Sequence, residues 1–465
     1  PRRHRRFEQM NGTQLVWALI KIMVMIGVVV NAAAILTWLD RRQGAMMQDR
    51  VGPNRAVFKL FGREFRLAGL LHPAADGLKF FTKEFYMPPR ADKLLFSLAP
   101  ILSMMPVMAL VAVIPFGDTL CLNEIHRPDG TFMGIWPAEP RFGLCSSQLS
   151  SIDLMVSPLN VGLLYVFALA GQGIVGAAIA GWSSDNKYSL MAAVRAASQM
   201  VSYEVAMGLT LIGTMMIYGT IRLDDMVRWQ GDHAWGIFVQ PLAFILFFVA
   251  VTAESKRIPF DLPEAESELV SGYFTEYSGM TFGMFYFAEY MEVVTSSMLL
   301  VTIFLGGWEL PFLHRDGLTI AFGETSLVHV AIPHLWMEII SVLGFFGKVA
   351  ALCWLQCIIR WSLPRFRYDQ LQKLGWRALL PLALANVLVT AVVDLAIDRG
   401  GANVWNGLDV VAEITQALTA VIITYVVVRL VIGFFTKRKR HPRVIGSAGK
   451  MAQKTGGVPV TPMQA

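Results

Sequence analysis

Charge is scarce in this sequence. Acidic and basic residues make up 16% of its 465 positions, against about a quarter in a typical soluble domain. Hydrophobic residues reach 55%, which excludes a water-soluble globular chain and leaves a polytopic membrane protein. Cysteine is equally sparse. Four residues cannot build a disulfide scaffold or a thiolate cluster framework. Cys353 and Cys357 fall four apart in one apolar run, where cysteine behaves as a small buried hydrophobe. Cys121 and Cys145 share one outer loop, and a bridge between them depends on whether that side is oxidising. The 8 histidines are scattered and offer no paired haem ligands. There is no Walker phosphate loop, no dinucleotide fingerprint after a strand, and no Cys/His spacing for zinc or iron–sulfur. Redox chemistry therefore needs a diffusible cofactor or an adjacent subunit. No small-residue cleavage site precedes the first apolar run, so no cleavable signal peptide is expected. No internal repeat is visible, which weighs against a repeat-built transporter.

What the chain has in abundance is apolar runs. A spanning helix takes about 20 apolar residues, and nine segments qualify: 14–39, 97–115, 154–182, 200–218, 235–253, 282–306, 333–357, 378–397 and 410–435. The fold class is all-α, with about nine transmembrane helices. Lysine and arginine concentrate in the loops 40–93 and 358–377 and in the tail, which places these on the cytoplasmic side. The C-terminus is then cytoplasmic and the basic "RRHRR" N-terminus outside, locally against the rule. The bases report topology rather than a nucleic-acid surface. The organisation is an exposed N-terminus (1–13), a single transmembrane domain (14–435) with functional loops at 40–93, 183–199 and 254–281, and a basic tail (436–465) of disordered composition. Within the first loop, Phe and Leu alternate with Arg and Lys in a helix-compatible pattern. That predicts an amphipathic surface helix over about 70–85. Phe61, Phe65, Phe80, Phe81 and Phe85 read as membrane anchors, some of them able to line an apolar tunnel.

Against so little charge, acids inside or beside the spans stand out. Glu204 lies within two turns of an inner mouth. Glu289 and Glu292 are three apart on one helix face, where mutual repulsion and burial favour holding a proton. The bland alternative is a pair of acids that only join helices. In "FDLPEAESEL", Asp261 reads as an N-cap, Pro263 as first-turn and Glu264 as the capping-box acid. That start does not account for Glu266 and Glu268. Glu254 ends a span, with Arg257 as its expected ion partner. Together these acids suggest a chain running from a cytoplasmic cavity into the bilayer. Glu338, Lys348, Asp394, Glu413 and Arg429 also fall in spans, the third and fifth near helix ends. Lys21 is near enough to an end to snorkel.

Four blocks, "QDRVGPNRA" (48–56), "DGLKFFTKE" (76–84), "GWSSDNKYSLMAAVRAASQMVSYEV" (181–205) and "RIPFDLPEAESELVSGYFTEYSGMTFGMFYFAEY" (257–290), resemble the family of H-type subunits (mitochondrial subunit 1) of proton-pumping NADH:quinone oxidoreductase, respiratory complex I. The resemblance is close over 37–290 and looser beyond. It implies a multi-pass subunit of the bacterial cell membrane that forms the membrane side of a quinone-access chamber. The substrate is a quinone, menaquinone or ubiquinone, with nothing covalently bound. NADH, FMN and the iron–sulfur clusters belong to partner subunits. The implied partners are the hydrophilic-arm quinone-site and terminal iron–sulfur subunits, small membrane subunits, antiporter-like subunits and membrane lipid. Glu204, Glu254, Glu264, Glu266, Glu268 and Glu289 match the family's proton funnel. Arg257 and Asp76 match positions at the quinone channel, and Arg41, Arg50, Arg195 and Lys187 match basic loop positions that dock the arm or fix loops. Asp40–Arg41 stands where the family usually has Glu–Arg, which keeps the charge and shortens its reach. Phe274 replaces a small or polar residue and alters the expected channel wall. Alternatives are the homologous subunit of a membrane-bound hydrogenase or formate-oxidising complex, and a stand-alone proton or cation transporter.

Overall fold

The computed structural model describes residues 12–60, 63–65, 69–126, 132–137, 150–264, 266–311, 313–314, 317–322, 325–330 and 332–400, with scattered helical positions between 415 and 429. The chain divides into compact units at 1–417 and 418–465. In the second unit, Arg429 Nε donates to Tyr425 Oη at 3.0 Å. The first unit carries everything that follows.

Its helices are α1 (Gly12–Met47), α2 (His72–Thr82), α3 (Lys93–Leu110), α4 (Gly162–Ser183), α5 (Lys187–Tyr218), α6 (Leu223–Asp232), α7 (Gly236–Val239), α8 (Pro241–Glu254), α9 (Glu266–Leu269), α10 (Gly279–Phe304), α11 (His334–Ser362), α12 (Tyr368–Lys373) and α13 (Leu380–Gly400). Among the described residues, 7 helices are long and apolar enough to cross a membrane: α1, α3, α4, α5, α10, α11 and the stretch Tyr368–Ile397. The expected span 235–253 is instead the short α7 followed by the 14-residue α8. The break falls at Gln240–Pro241, where proline has no N–H to continue the ladder. The expected span 410–435 lies mostly outside the described residues, which cover only scattered helical positions of it.

Hydropathy marks where a helix leaves the apolar layer, not where it ends. The stretch 183–199, expected as a loop, turns only through Ser184–Asn186 and is helical from Lys187. Asn186 Oδ1 caps it by accepting from Tyr188 N at 2.9 Å. "SLMAAVRAASQM" then continues it with good helix formers. Gly219, at φ +63, ends it in a left-handed cap. The amphipathic helix expected over 70–85 is α2, which also packs on α1 and α10. The strands are not foreshadowed in the sequence pattern. Among the described residues, short antiparallel sheets occupy three connections: 58–60 with 63–65, 119–126 between 132–137 and 150–153, and 313–330 as three strands.

Hydrogen bonds identify the two ends of the bundle. At one end, α1 meets α11 through Asp40 and Trp361, α5 meets the turn after α8 through Gln199 and Phe260, and Tyr86 meets Ser278. At the other, Lys21 reaches Met155 and Tyr218 reaches Ile303. The most enclosed span is α10, 83% buried over its most apolar window, against 11% for Tyr368–Ile397. Outward-facing apolar side chains such as Met23, Leu388 and Val392 remain exposed, as lipid-facing positions would be. Alanines 177, 180, 192, 193 and 196 are buried between α4 and α5, letting those backbones approach closely.

Candidate functional site

Three segments of the enclosed core converge on one cavity. Glu254 ends α8, Glu289 and Glu292 come from one face of α10, and the turn after α8 contributes Lys256. With Tyr273 they line a space of about 60 Å³, enough for a few waters at about 10–15 Å³ each. Ser103, Thr295 and Ser296 add hydroxyls to its wall. Glu204 on α5 approaches Glu254 closely enough to repel it. Its carboxylate sits against α4 at Gly171, where a Cβ would lie 3.2 Å from Oε1, so a side chain at 171 would displace it.

The segment 255–278 folds back into the bundle instead of lying on its surface. The carboxyls of Glu264 and Glu289 meet, and Tyr273 Oη donates to Glu289 Oε1 at 3.3 Å. Burial, then the neighbouring Glu289, pushes Glu264 well above the usual carboxylate range, against the pull of Arg257. That shift favours the protonated form of Glu264 beside Glu289. Burial and then Glu289 likewise raise the Tyr273 phenol. The helix start expected at Asp261 does not form. Only one turn, Glu266–Leu269, is helical, and Asp261 does not cap it. Its Oδ2 accepts from Arg365 at 2.7 Å. Burial, then Glu264, lifts Asp261 to about 6 in spite of that guanidinium.

Arg257, expected to pair with Glu254, instead lies over the Tyr290 ring, 3.8 Å from its centroid. Tyr290 Oη donates to Asp40 Oδ2 at 3.0 Å and contacts Tyr286 Oη at 3.1 Å. Asp40 also accepts from Arg360 and, through Oδ1, from Trp361 Nε1 at 2.8 Å. A second polar system thus sits beside the acid cavity, on the neighbouring face of α10.

Tyr286 leads from that system into a third space. This pocket, about 350 Å³, is enclosed by α1, α2, α3 and α10, and its wall is almost entirely apolar. Phe80, Phe81 and Phe287 line it, with Asp76 as the charged residue. Arg41 pairs with Asp76 at 2.5 Å, so the residues matched to the channel and the arm-facing loop are one ion pair at this pocket.

Other matched positions lie apart. Glu268 is exposed and pairs with Arg195 at 2.8 Å. The Glu266 side chain lies outside the described residues, as do Cys145, the side chain of Cys121, and Phe61. Arg50 Nε donates to Gln48 at 2.6 Å on the surface. Lys187 lines an open cleft with Arg90, Asp185 and Glu276. Phe274 is buried among Tyr273, Phe282 and Phe285. Sequence reasoning misses Lys256, Tyr273, Tyr290, Arg360 and Trp361. Lys256 follows closely on Glu254, and that proximity is a usable signal. Arg360 and Trp361 lie 320 residues or more from Asp40, and no local pattern announces that contact.

A helical membrane protein with a core of clustered carboxylates beside an apolar pocket is the class that fold and site define. Comparison narrows it. The NADH dehydrogenase family model matches residues 20–391. The chain is 40% identical over 359 residues to an H-type subunit of NADH-quinone oxidoreductase from Cytophaga hutchinsonii, covering 77% of this chain and 91% of that protein. It is 38% identical to the H-type subunit of the enzyme of the same name from Flavobacterium johnsoniae, over 82% of this chain and 96% of the relative. It is 41% identical to an H-type subunit from Geobacter metallireducens, over 80% and 94%. The chain belongs to the NADH dehydrogenase family, as a membrane subunit of the H type.

Proposed function

We propose that this chain forms the membrane side of a quinone-access channel and couples NADH:quinone electron transfer to proton translocation through its buried carboxylates. In this reading the end bearing residues 40–93 and 254–281 faces the cytoplasm and receives the electron-carrying hydrophilic arm. The apolar pocket of about 350 Å³ has the size and lining of a small-molecule site, and takes the quinone head or the first part of its tail from the lipid. Asp76 and Arg41 mark its charged wall, and Tyr286 joins it to Tyr290 and Arg257. Charge developing near that tyrosine pair acts on Glu264 and Glu289. Proton movement then passes to Glu292, Glu254 and Glu204.

The observation that carries the reading is the shared cavity: Glu254 from α8 and Glu289 and Glu292 from α10 meet at one space large enough for a few waters. Buried acids serving only to join helices would each need their own donor. Glu289→Gln or Glu204→Gln in the assembled complex is expected to depress coupled NADH:quinone turnover and pumping, with NADH oxidation by a hydrophilic artificial acceptor retained. Normal turnover and pumping in both variants refute the pathway.

A further inference from the structure

We propose that Lys256 is the counter-cation of the acid cavity, an ammonium held in water among the carboxylates whose charge sets how many of them ionise. This rests on the proton-coupling reading and adds to it a residue that the reading does not require.

Three features of the structure support the assignment. Lys256 is only 6% exposed, and it is the one cationic residue among those lining the cavity. Arg257 is turned to Tyr290, and Arg360 is engaged by Asp40. Second, the Lys256 backbone is left-handed, at φ +54. Such a conformation costs an ordinary side chain about 1–2 kcal/mol. A lysine placed there to reach solvent would need no such bend, whereas this one aims its stem inward. Third, the ammonium sits 5.8 Å from the Tyr273 ring and has no direct protein acceptor within hydrogen-bond reach among the described residues. A buried ammonium without acceptors is prohibitive, so the cavity of about 60 Å³ must solvate it with water.

The groups lining its cavity are Glu254 from the end of α8, Glu289 and Glu292 from α10, and Tyr273, with Glu204 of α5 acting on Glu254 from outside the lining; α3 and α4 contribute no titratable group to it. With Lys256 charged, a carboxylate can stay ionised and accept a proton. Without it, acids crowded into one space hold their protons more tightly. A unit charge acting across about one water's width at an effective dielectric near 20 moves a carboxyl by roughly 1–2 pH units. The flexible lysine stem lets the ammonium follow the ionised partner from one glutamate to the next.

The test uses Lys256→Asn and Lys256→Arg in the assembled complex, in vesicles. Asparagine tolerates the left-handed backbone and removes the charge; arginine keeps the charge. NADH oxidation by a hydrophilic acceptor reports assembly. The readouts are the pH profile of quinone-coupled pumping and the infrared band of protonated carboxyls during a pH titration, assigned with Glu292→Gln. The Asn variant is expected to move both toward alkaline pH by roughly 1–2 units, with the Arg variant near the parent protein. An Asn variant with the parent profile and band overturns the assignment, as does an Arg variant displaced equally. If the band moves in the Asn variant while Glu289→Gln and Glu204→Gln pump normally, the counter-cation stands and the coupling reading falls.

Discussion

Asp40 is a heavily engaged buried acid, and replacing it by asparagine is the sharpest probe of the tyrosine–arginine system. Three side chains donate to it: Arg360, Tyr290 at 3.0 Å and Trp361 at 2.8 Å. Asp40 is 5% exposed, but the Arg360 side chain is 25% exposed. Breaking a fully buried pair costs about 3–5 kcal/mol, and solvent around Arg360 reduces this to about 2–3. At about 1.4 kcal/mol per decade, opening of the α1–α11 contact becomes roughly 30- to 150-fold more frequent. Hydrogen exchange at the last turn of α11 should rise by that factor. Tyr290 also loses its acceptor, so the platform under Arg257 loosens. A lost hydrogen bond of about 0.5–1.5 kcal/mol raises the quinone KM about 2- to 10-fold. Asp40→Glu keeps the charge, and the adjoining space of about 20 Å³ accepts the added methylene, so exchange should stay near the parent rate. Unchanged exchange and KM in the Asn variant would refute this account, as would equal damage from Glu.

At the opposite end, Lys348 donates to the carbonyls of Leu305, Gly307 and Glu309 at 2.8, 3.0 and 2.6 Å, closing the C-terminus of α10. Lys348→Met keeps the stem and strands those acceptors, for a loss of about 3–5 kcal/mol; an unaltered thermal inactivation midpoint would show the contact to be dispensable. Arg195→Ala removes the half-buried partner of the exposed Glu268, which costs less than about 1 kcal/mol and leaves pumping intact. A tenfold loss of pumping would return Glu268 to the conduction path. Asp261, at about 6 when the loop is docked and about 3.9 when it is released, binds its proton more tightly in the docked form. Docking is therefore strongest below about pH 4 and weakens as pH rises through about 6. Hydrogen exchange of residues 255–264 should accelerate across that window, and Asp261→Asn should flatten the dependence.

Much of the fold was legible because lipid imposes one length scale. Seven of the expected spans correspond to helices of spanning length, and α2 lies where an amphipathic pattern placed it. Boundaries were less legible, since α1 and α5 run on past their apolar stretches into charged sequence. The sheet strands 119–137 and 313–330 follow no membrane period and were hidden by the helical signal around them. For the site, an acid in an apolar run is conspicuous at any position, so Glu204, Glu254 and Glu289 could be singled out. Which acids would meet could not be read. Glu264 and Glu268 look alike in sequence, yet one is buried against Glu289 and the other pairs with Arg195 at the surface. That difference arises from a fold-back of 255–278 that carries positive φ at Lys256, Val270 and Gly272, a path that side-chain pattern does not encode.

The arrangement of these groups around α10 bears on how electron transfer could reach the carboxylates. Glu289, Glu292 and Ser296 line the acid cavity, while Tyr290 and Val293 line the space beside Arg257 and Asp40. The two sets are rotated by about 100° on one helix, so a rigid α10 fixes their separation. The turn after α8 reaches both spaces. Its consecutive residues Lys256 and Arg257 deliver one cation to each side, and the left-handed backbone at Lys256 sets their divergence. In the proposed mechanism, negative charge appearing on the quinone side draws Arg257. Peptide geometry then obliges Lys256 to shift in the acid cavity, where even a small displacement changes which carboxylate is best compensated. Coupling of this kind requires no proton to cross from one system to the other. It requires only that the two side chains move together, so locking Arg257 in place should uncouple pumping from quinone reduction while both cavities remain intact.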